Sequence, residues 1–152
     1  MFILGLFLTM QNAIADKENL NKKYEWERKP AIELCGNTNV TVEEVNTVLL
    51  YWQGELEKAS LVSDIYYKPT CSKNKLNLIV IKDDFVKSFH GELARTSIEW
   101  YWYDGDDTQY LDTATISFPN NISYKRHLTL THELGHALGY QHSNHSVMKS
   151  HI

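Results

Sequence analysis

Residues 131–143 read T-H-E-L-G-H-A-L-G-Y-Q-H-S, and the spacing of the histidines in this stretch decides how the rest of the chain is read. His132 and His136 are four residues apart. On an α-helix that spacing is about 40° of rotation, so both imidazoles leave one face, one turn apart. Two ligands of a tetrahedral zinc need that geometry. Glu133 lies off this line, where a carboxylate reaches a water at the metal without entering the coordination shell, the place for a general base. Gly139 can take a positive φ and stop the helix. The chain then turns back, and His142 offers a third nitrogen. Three neutral histidines leave a fourth position open, which separates a catalytic zinc from a closed structural one.

Working outward, Lys125 to Gly139 reads as the helix that carries this stretch. A second helix is expected from Thr41 to Lys58. Thr41 with Glu44 three residues on forms a capping box, and Val42, Val45, Leu49, Trp52 and Leu56 recur at three and four as one buried stripe. Leu61 to Tyr67, Leu76 to Ile81 and Ala114 to Phe118 read as strands. Arg95 to Tyr103 reads as extended, its run Trp100-Tyr101-Trp102-Tyr103 supplying a large apolar payload to the sheet. Asp104-Gly105-Asp106-Asp107 is a solvated acidic turn, with calcium held by its carboxylates as the alternative. The predicted order is helix, three or four strands, helix. That is an α+β domain with a twisted mixed sheet, an N-terminal helix and an active-site helix.

At 152 residues the chain has the length of one domain. Its 43% apolar and 22% charged residues exclude global disorder. Fifteen Lys and Arg against nineteen Asp and Glu argue against a nucleic-acid partner, whose affinity would rest on phosphate neutralisation. Phe2 to Leu8 is an apolar run, followed by Ala13-Ile14-Ala15. Residues 1–15 therefore read as a signal peptide cleaved after Ala15, and the run is too short to be a stable membrane anchor. Residues 16–39 read as a polar lead-in or short pro-segment, and residues 40–152 as the functional domain. An exported chain is secreted, periplasmic or extracellular, and Cys35 and Cys71 then suit one disulfide. Two free buried thiols, or Cys35 as a ligand that blocks a metal, are the other readings. His90 and His127 read as ordinary surface or core histidines. His145 and His151 read as parts of a mobile tail near the site, with assistance to the site as the alternative.

Taken together, His132-Glu133-Leu134-Gly135-His136-Ala137-Leu138-Gly139-Tyr140-Gln141-His142 resembles the long zinc signature HExxHxxGxxH of the metzincin metalloproteases. Ser143 after the third histidine, with Gly135 and Ala137 inside the motif, resembles the matrixin branch in particular. Ser146-Val147-Met148 resembles the Met-turn, in which a methionine makes an apolar floor under the zinc without binding it. The resemblance implies a minimal metzincin-like (zincin) catalytic domain. It further implies one catalytic Zn2+ held by His132, His136 and His142, with Glu133 as general base for a zinc-activated water and Met148 as floor. The implied activity is that of a secreted, monomeric zinc endopeptidase acting on a protein or peptide substrate, which pairs along the sheet edge near Ala114 to Phe118. Two features depart from the family. Five residues separate His142 from Met148, and the chain stops at Ile152, which implies a very short C-terminal subdomain. A non-cleaving, zinc-stabilised peptide-binding module is the rival reading, against which the intact Glu133 argues.

Overall fold

The structure is a computed structural model and describes residues 19–84, 93–119 and 126–150. The expected signal peptide, His90 and His151 lie outside the described residues. Among the described residues the chain forms a small α+β fold with a mixed sheet and two helices. In chain order the elements are β1 (Asn21–Lys22), β2 (Tyr24–Trp26), β3 (Ala31–Cys35), α1 (Val42–Leu56), β4 (Ile65–Lys68) and β5 (Leu78–Asp84). They continue with β6 (Arg95–Tyr101), β7 (Gln109–Pro119), α2 (Arg126–Ala137) and β8 (Tyr140–Gln141).

Six strands form the main sheet in the order β2-β7-β5-β3-β4, with β6 added to β7. All pairings are parallel except β6 with β7. β2 and β5 share one edge of β7, Tyr24–Trp26 against Gln109–Leu111 and Leu78–Asp84 against Thr113–Pro119, while β6 takes the other edge. β7 is therefore an interior strand of eleven residues, and the free edge beside it belongs to β6. This corrects the expectation that Ala114 to Phe118 is an edge. Leu76 is exposed and Asn77 has φ 53°, so β5 begins two residues later than the alternation predicts. The first strand after α1 is also shorter than expected, beginning at Ile65 after a bend that donates Ser63 N–H to the Pro30 carbonyl at 2.8 Å.

Pleat alternation splits the sheet into two buried faces. Ile32, Leu34, Ile79, Ile81, Ala114, Ile116 and Phe118 face both helices. Cys35, Leu78 and Val80 face the opposite side, with Ala31, Tyr66 and Cys71 packed against them. The Cys35–Cys71 disulfide closes that second face. Glu33 lies buried beside it, its carboxylate accepting the Ser72 amide at 2.7 Å, the Ser72 hydroxyl at 2.6 Å and the Tyr66 hydroxyl at 3.1 Å. Residues 16–39, expected as a lead-in, thus supply three strands. Ile32 and Leu34 find their partners on β4 and β5, far along the chain.

The α1 cap forms as predicted. Thr41 Oγ1 accepts from Glu44 N–H at 3.2 Å, and Glu44 Oε2 accepts from Thr41 N–H at 2.8 Å. Val45, Val48, Leu49 and Trp52 are buried, each contributing about 1.5–3 kcal/mol of transfer free energy. Val42 and Leu56 stay at the margin of the core. The other Glu44 oxygen pairs with Arg126, which ties the start of α2 to the start of α1. No helix among the described residues is long and apolar enough to cross a membrane.

Candidate functional site

α2 buries all of Thr129 to Gly135 and presents His132, Glu133 and His136. The close approach of α2 to α1 depends on Gly135. A Cβ there would meet Met148 Sδ at 2.4 Å and Trp52 Cζ2 at 2.6 Å. Trp52 is fixed in turn by its Nε1–H, which donates to the Thr131 carbonyl at 2.9 Å. Met148 is fully buried under this part of the helix.

The helix stops at Gly139, whose φ is +101°. A side chain at this position would strike the Tyr24 carbonyl at 2.1 Å. The Gly139 carbonyl accepts from Lys23 N–H at 2.9 Å and Tyr24 N–H at 3.1 Å. β1 then pairs antiparallel with β8, Asn21 opposite Gln141 and Lys22 opposite Tyr140. The N-terminal strands therefore clamp the turn that delivers His142.

The three histidines converge. Their Nε2 atoms are 3.1 Å apart for His132–His136 and 3.2 Å for each pair involving His142. His132 Nδ1–H donates to the Val147 carbonyl at 2.6 Å, and His136 Nδ1–H to the Tyr140 carbonyl at 2.8 Å. A carbonyl only accepts, so each of these rings carries a proton on Nδ1, and in the neutral ring Nε2 is then the lone-pair nitrogen. Lone pairs that face one another at this distance repel unless a cation lies between them. Burial pushes the His136 imidazole down to about 4, opposed by its bond to the Tyr140 carbonyl and assisted by the neighbouring His132 and His142. The ring is neutral at physiological pH, as a metal ligand must be. Among the described residues, this triad is the only group of three His, Cys, Asp or Glu side chains close enough to share a metal ion. The Asp104–Asp107 turn is not a second one. Asp106 spends its oxygens on the Thr108 amide at 2.8 Å and the Tyr110 hydroxyl at 2.9 Å.

Glu133 is buried beside the triad, and Thr96 on β6 holds it. The Thr96 hydroxyl reaches both the Glu133 carbonyl, at 3.1 Å, and carboxylate oxygen Oε2. Thr96, Ile98, Tyr24, Tyr140, Gln141, His136 and His142 line an open cleft of about 420 Å³. The cleft lies between the histidines His136 and His142 and the β6 residues Thr96 and Ile98. Sequence reading missed Thr96, because no local pattern marks a β6 residue for contact with a helix 37 positions away.

Two other expectations change here. The aromatic run is largely exposed: Trp100 by 39%, Trp102 by 60% and Tyr103 by 51%. Among the described residues β6 is an edge strand, and its register on β7 shifts between Glu99 and Trp100, with Trp100 and Tyr101 still paired to Leu111 and Tyr110. His145 is no tail residue. It is fully buried, stacks on Trp52 at 6.1 Å and places Nε2 3.0 Å from Glu55 Oε2. His127 is exposed and stands apart from the triad, an ordinary surface histidine as expected. No protein-family model matches the chain, and comparison with curated proteins finds no match.

Proposed function

We propose that this chain is an exported zinc-dependent endopeptidase with a metzincin-like, matrixin-type site. The observation that carries the reading is the convergence of three Nε2 atoms within 3.1–3.2 Å, two of them held as lone-pair donors by backbone carbonyls. Those edges lie near the roughly 3.3 Å expected for a tetrahedron with 2.0–2.1 Å bonds, so the donor set fits zinc. His132, His136 and His142 would hold it, and three imidazoles leave one position open. Bound there, zinc supplies a Lewis acid that eases ionisation of water and stabilises charge developing on a carbonyl oxygen. Glu133 takes a proton from the attacking water and delivers it to the leaving amine. Thr96 holds the carboxylate in place for both transfers. Among the described residues β6 pairs on one side only, and its other edge would take an extended peptide by strand addition. Buried Met148, packed under α2 at Gly135, supports the Met-turn reading. The Cys35–Cys71 disulfide and the apolar N-terminal run support export.

The test is cleavage of unfolded casein with and without chelator, alongside metal analysis. The parent protein should carry about one zinc and cleave only with it. Glu133→Ala should keep the zinc and lose roughly 10²–10⁴ in rate. A parent that binds zinc and peptide without cleaving is the binding module instead. A parent that binds no zinc overturns the site.

A further inference from the structure

The cleft chemistry makes no use of one ionisable pair, formed by buried His145, between His142 and Met148, and by Glu55 near the end of α1. The hydrogen bonds around this pair run in one direction. His132 Nδ1–H donates to the Val147 carbonyl at 2.6 Å. Val147 N–H donates to His145 Nδ1 at 3.3 Å. An acceptor Nδ1 leaves the His145 proton on Nε2, where it donates to Glu55 Oε2 at 3.0 Å. Every link donates toward the Glu55 carboxylate, and the main chain of Val147 joins the two halves through its fixed covalent geometry. Trp52 keeps the His145 ring in plane, stacked at 6.1 Å and 24°. The loop is closed at both ends, since Ser143 N–H donates to the Met148 carbonyl at 2.9 Å and Met148 N–H to the His145 carbonyl at 3.0 Å.

We propose that Glu55 and His145 are positioning residues for the metal centre, acting through the backbone of Val147 to fix the orientation of the His132 ring. The inference rests on the reading of the triad as a metal site. Glu55 selects the His145 tautomer with an unprotonated Nδ1. That nitrogen holds Val147 N–H, which aims the carbonyl of the same residue at His132. His132 then has its proton fixed on Nδ1 and its Nε2 lone pair turned toward the other two ligands. A carboxylate commonly performs this service by direct contact with the ligand histidine. Here the contact is relayed by one residue of main chain, so no carboxylate need enter the cleft beside Glu133. The opposite His145 tautomer would set Nδ1–H against Val147 N–H and release the carbonyl.

The experiment measures Zn2+ affinity by chelator competition on the full chain, with two variants. Glu55→Gln keeps the shape and an acceptor oxygen but removes the charge. His145→Phe keeps the ring stacked on Trp52 and removes both hydrogen bonds. Losing such outer-shell partners typically weakens metal binding 10–100-fold. We expect a loss in that range for His145→Phe, and a smaller loss in the same direction for Glu55→Gln. In ¹⁵N-edited spectra of the zinc-loaded protein, the His132 Nδ1–H signal should move upfield or vanish in both variants. Thermal midpoints measured in excess chelator should change less than affinity does, which a merely space-filling His145 would not produce. If the parent binds one Zn2+ and both variants bind it within twofold of the parent, the relay is overturned and the triad stands. If the parent binds no Zn2+, the relay falls together with the metal site.

Discussion

Replacing Gly135 by alanine sets two effects of opposite sign against each other. In a helix interior alanine is favoured over glycine by about 1 kcal/mol, so at an exposed position the change would stabilise. At this position the new Cβ would lie 2.4 Å from Met148 Sδ, 2.6 Å from Trp52 Cζ2 and 3.0 Å from Trp52 Cη2. The thioether is flexible and can swing aside. The indole cannot move freely, because Nε1–H bonds Thr131 and the ring stacks on Tyr140 at 5.6 Å and 13°. Forcing it aside costs about 1–3 kcal/mol for overpacking and about 1 kcal/mol for the strained hydrogen bond. Less the helical gain, Gly135→Ala should destabilise by about 1–3 kcal/mol. With a urea m-value of about 2 kcal/mol/M the midpoint falls by about 0.5–1.5 M. Met148→Ala alone should cost about 2–5 kcal/mol through the cavity it leaves. The double variant should be less destabilised than the sum, by about 1 kcal/mol, because one obstacle is gone. An unchanged or raised midpoint for Gly135→Ala, at constant m, would refute the packing argument. Strict additivity would show that Met148 is not the neighbour that matters.

Gly139→Ala should cost about 3 kcal/mol or more, from a side chain at positive φ and the loss of one or two hydrogen bonds to Tyr24 and Lys23. Hydrogen exchange at the amides of Lys23 and Tyr24 should rise with it. Burial would raise the Glu33 carboxyl, but bonds from the Ser72 hydroxyl and amide and from Tyr66 outweigh that and hold it below its ordinary 4.5. The stabilisation is therefore complete above that value and is lost as pH falls through the lowered pKa. Glu33→Gln should flatten the acid limb of a stability-versus-pH curve between about 4.5 and the acid extreme. Reduction of Cys35–Cys71, separated by 36 residues, should cost about 3–4 kcal/mol by chain entropy, read as a shift in unfolding midpoint with and without reductant.

What the sequence made legible was whatever closes within a turn or two of chain. The Thr41–Glu44 box and the stripe through Val45, Leu49 and Trp52 are local, and α1 forms where they place it. The histidine triad spans only eleven residues, so its geometry follows from helical spacing and one glycine turn. β1 to β3 were hidden because their reasons are remote. Glu33 looks out of place in a buried strand until Ser72 and Tyr66 satisfy it from 39 and 33 residues away. Asn21 and Lys22 look like lead-in until Tyr140 and Gln141 arrive to pair with them. His145 sits in a polar stretch that reads as tail, and the Glu55 carboxylate that draws it inside lies 90 residues earlier.

A second kind of information was hidden for a different reason. The groups that orient His132 and His136 are the carbonyls of Val147 and Tyr140. A carbonyl is present whatever the side chain, so no residue type at these positions could announce the role. Both carbonyls belong to the segment that follows the helix, the same one that brings His142. The segment therefore contributes one histidine of the triad directly and aims the other two, and the convergence of all three depends on its position. That position is set by side chains that look unrelated to metal chemistry. Gly139 permits the turn, Gly135 lets Met148 and Trp52 close under the helix, and Trp52 stacks on both Tyr140 and His145. The two glycines of the motif thus shape the histidine triad as much as the histidine spacing does. One gives the main chain its direction, the other gives it room, and main-chain oxygens complete the orientation that the histidine spacing begins.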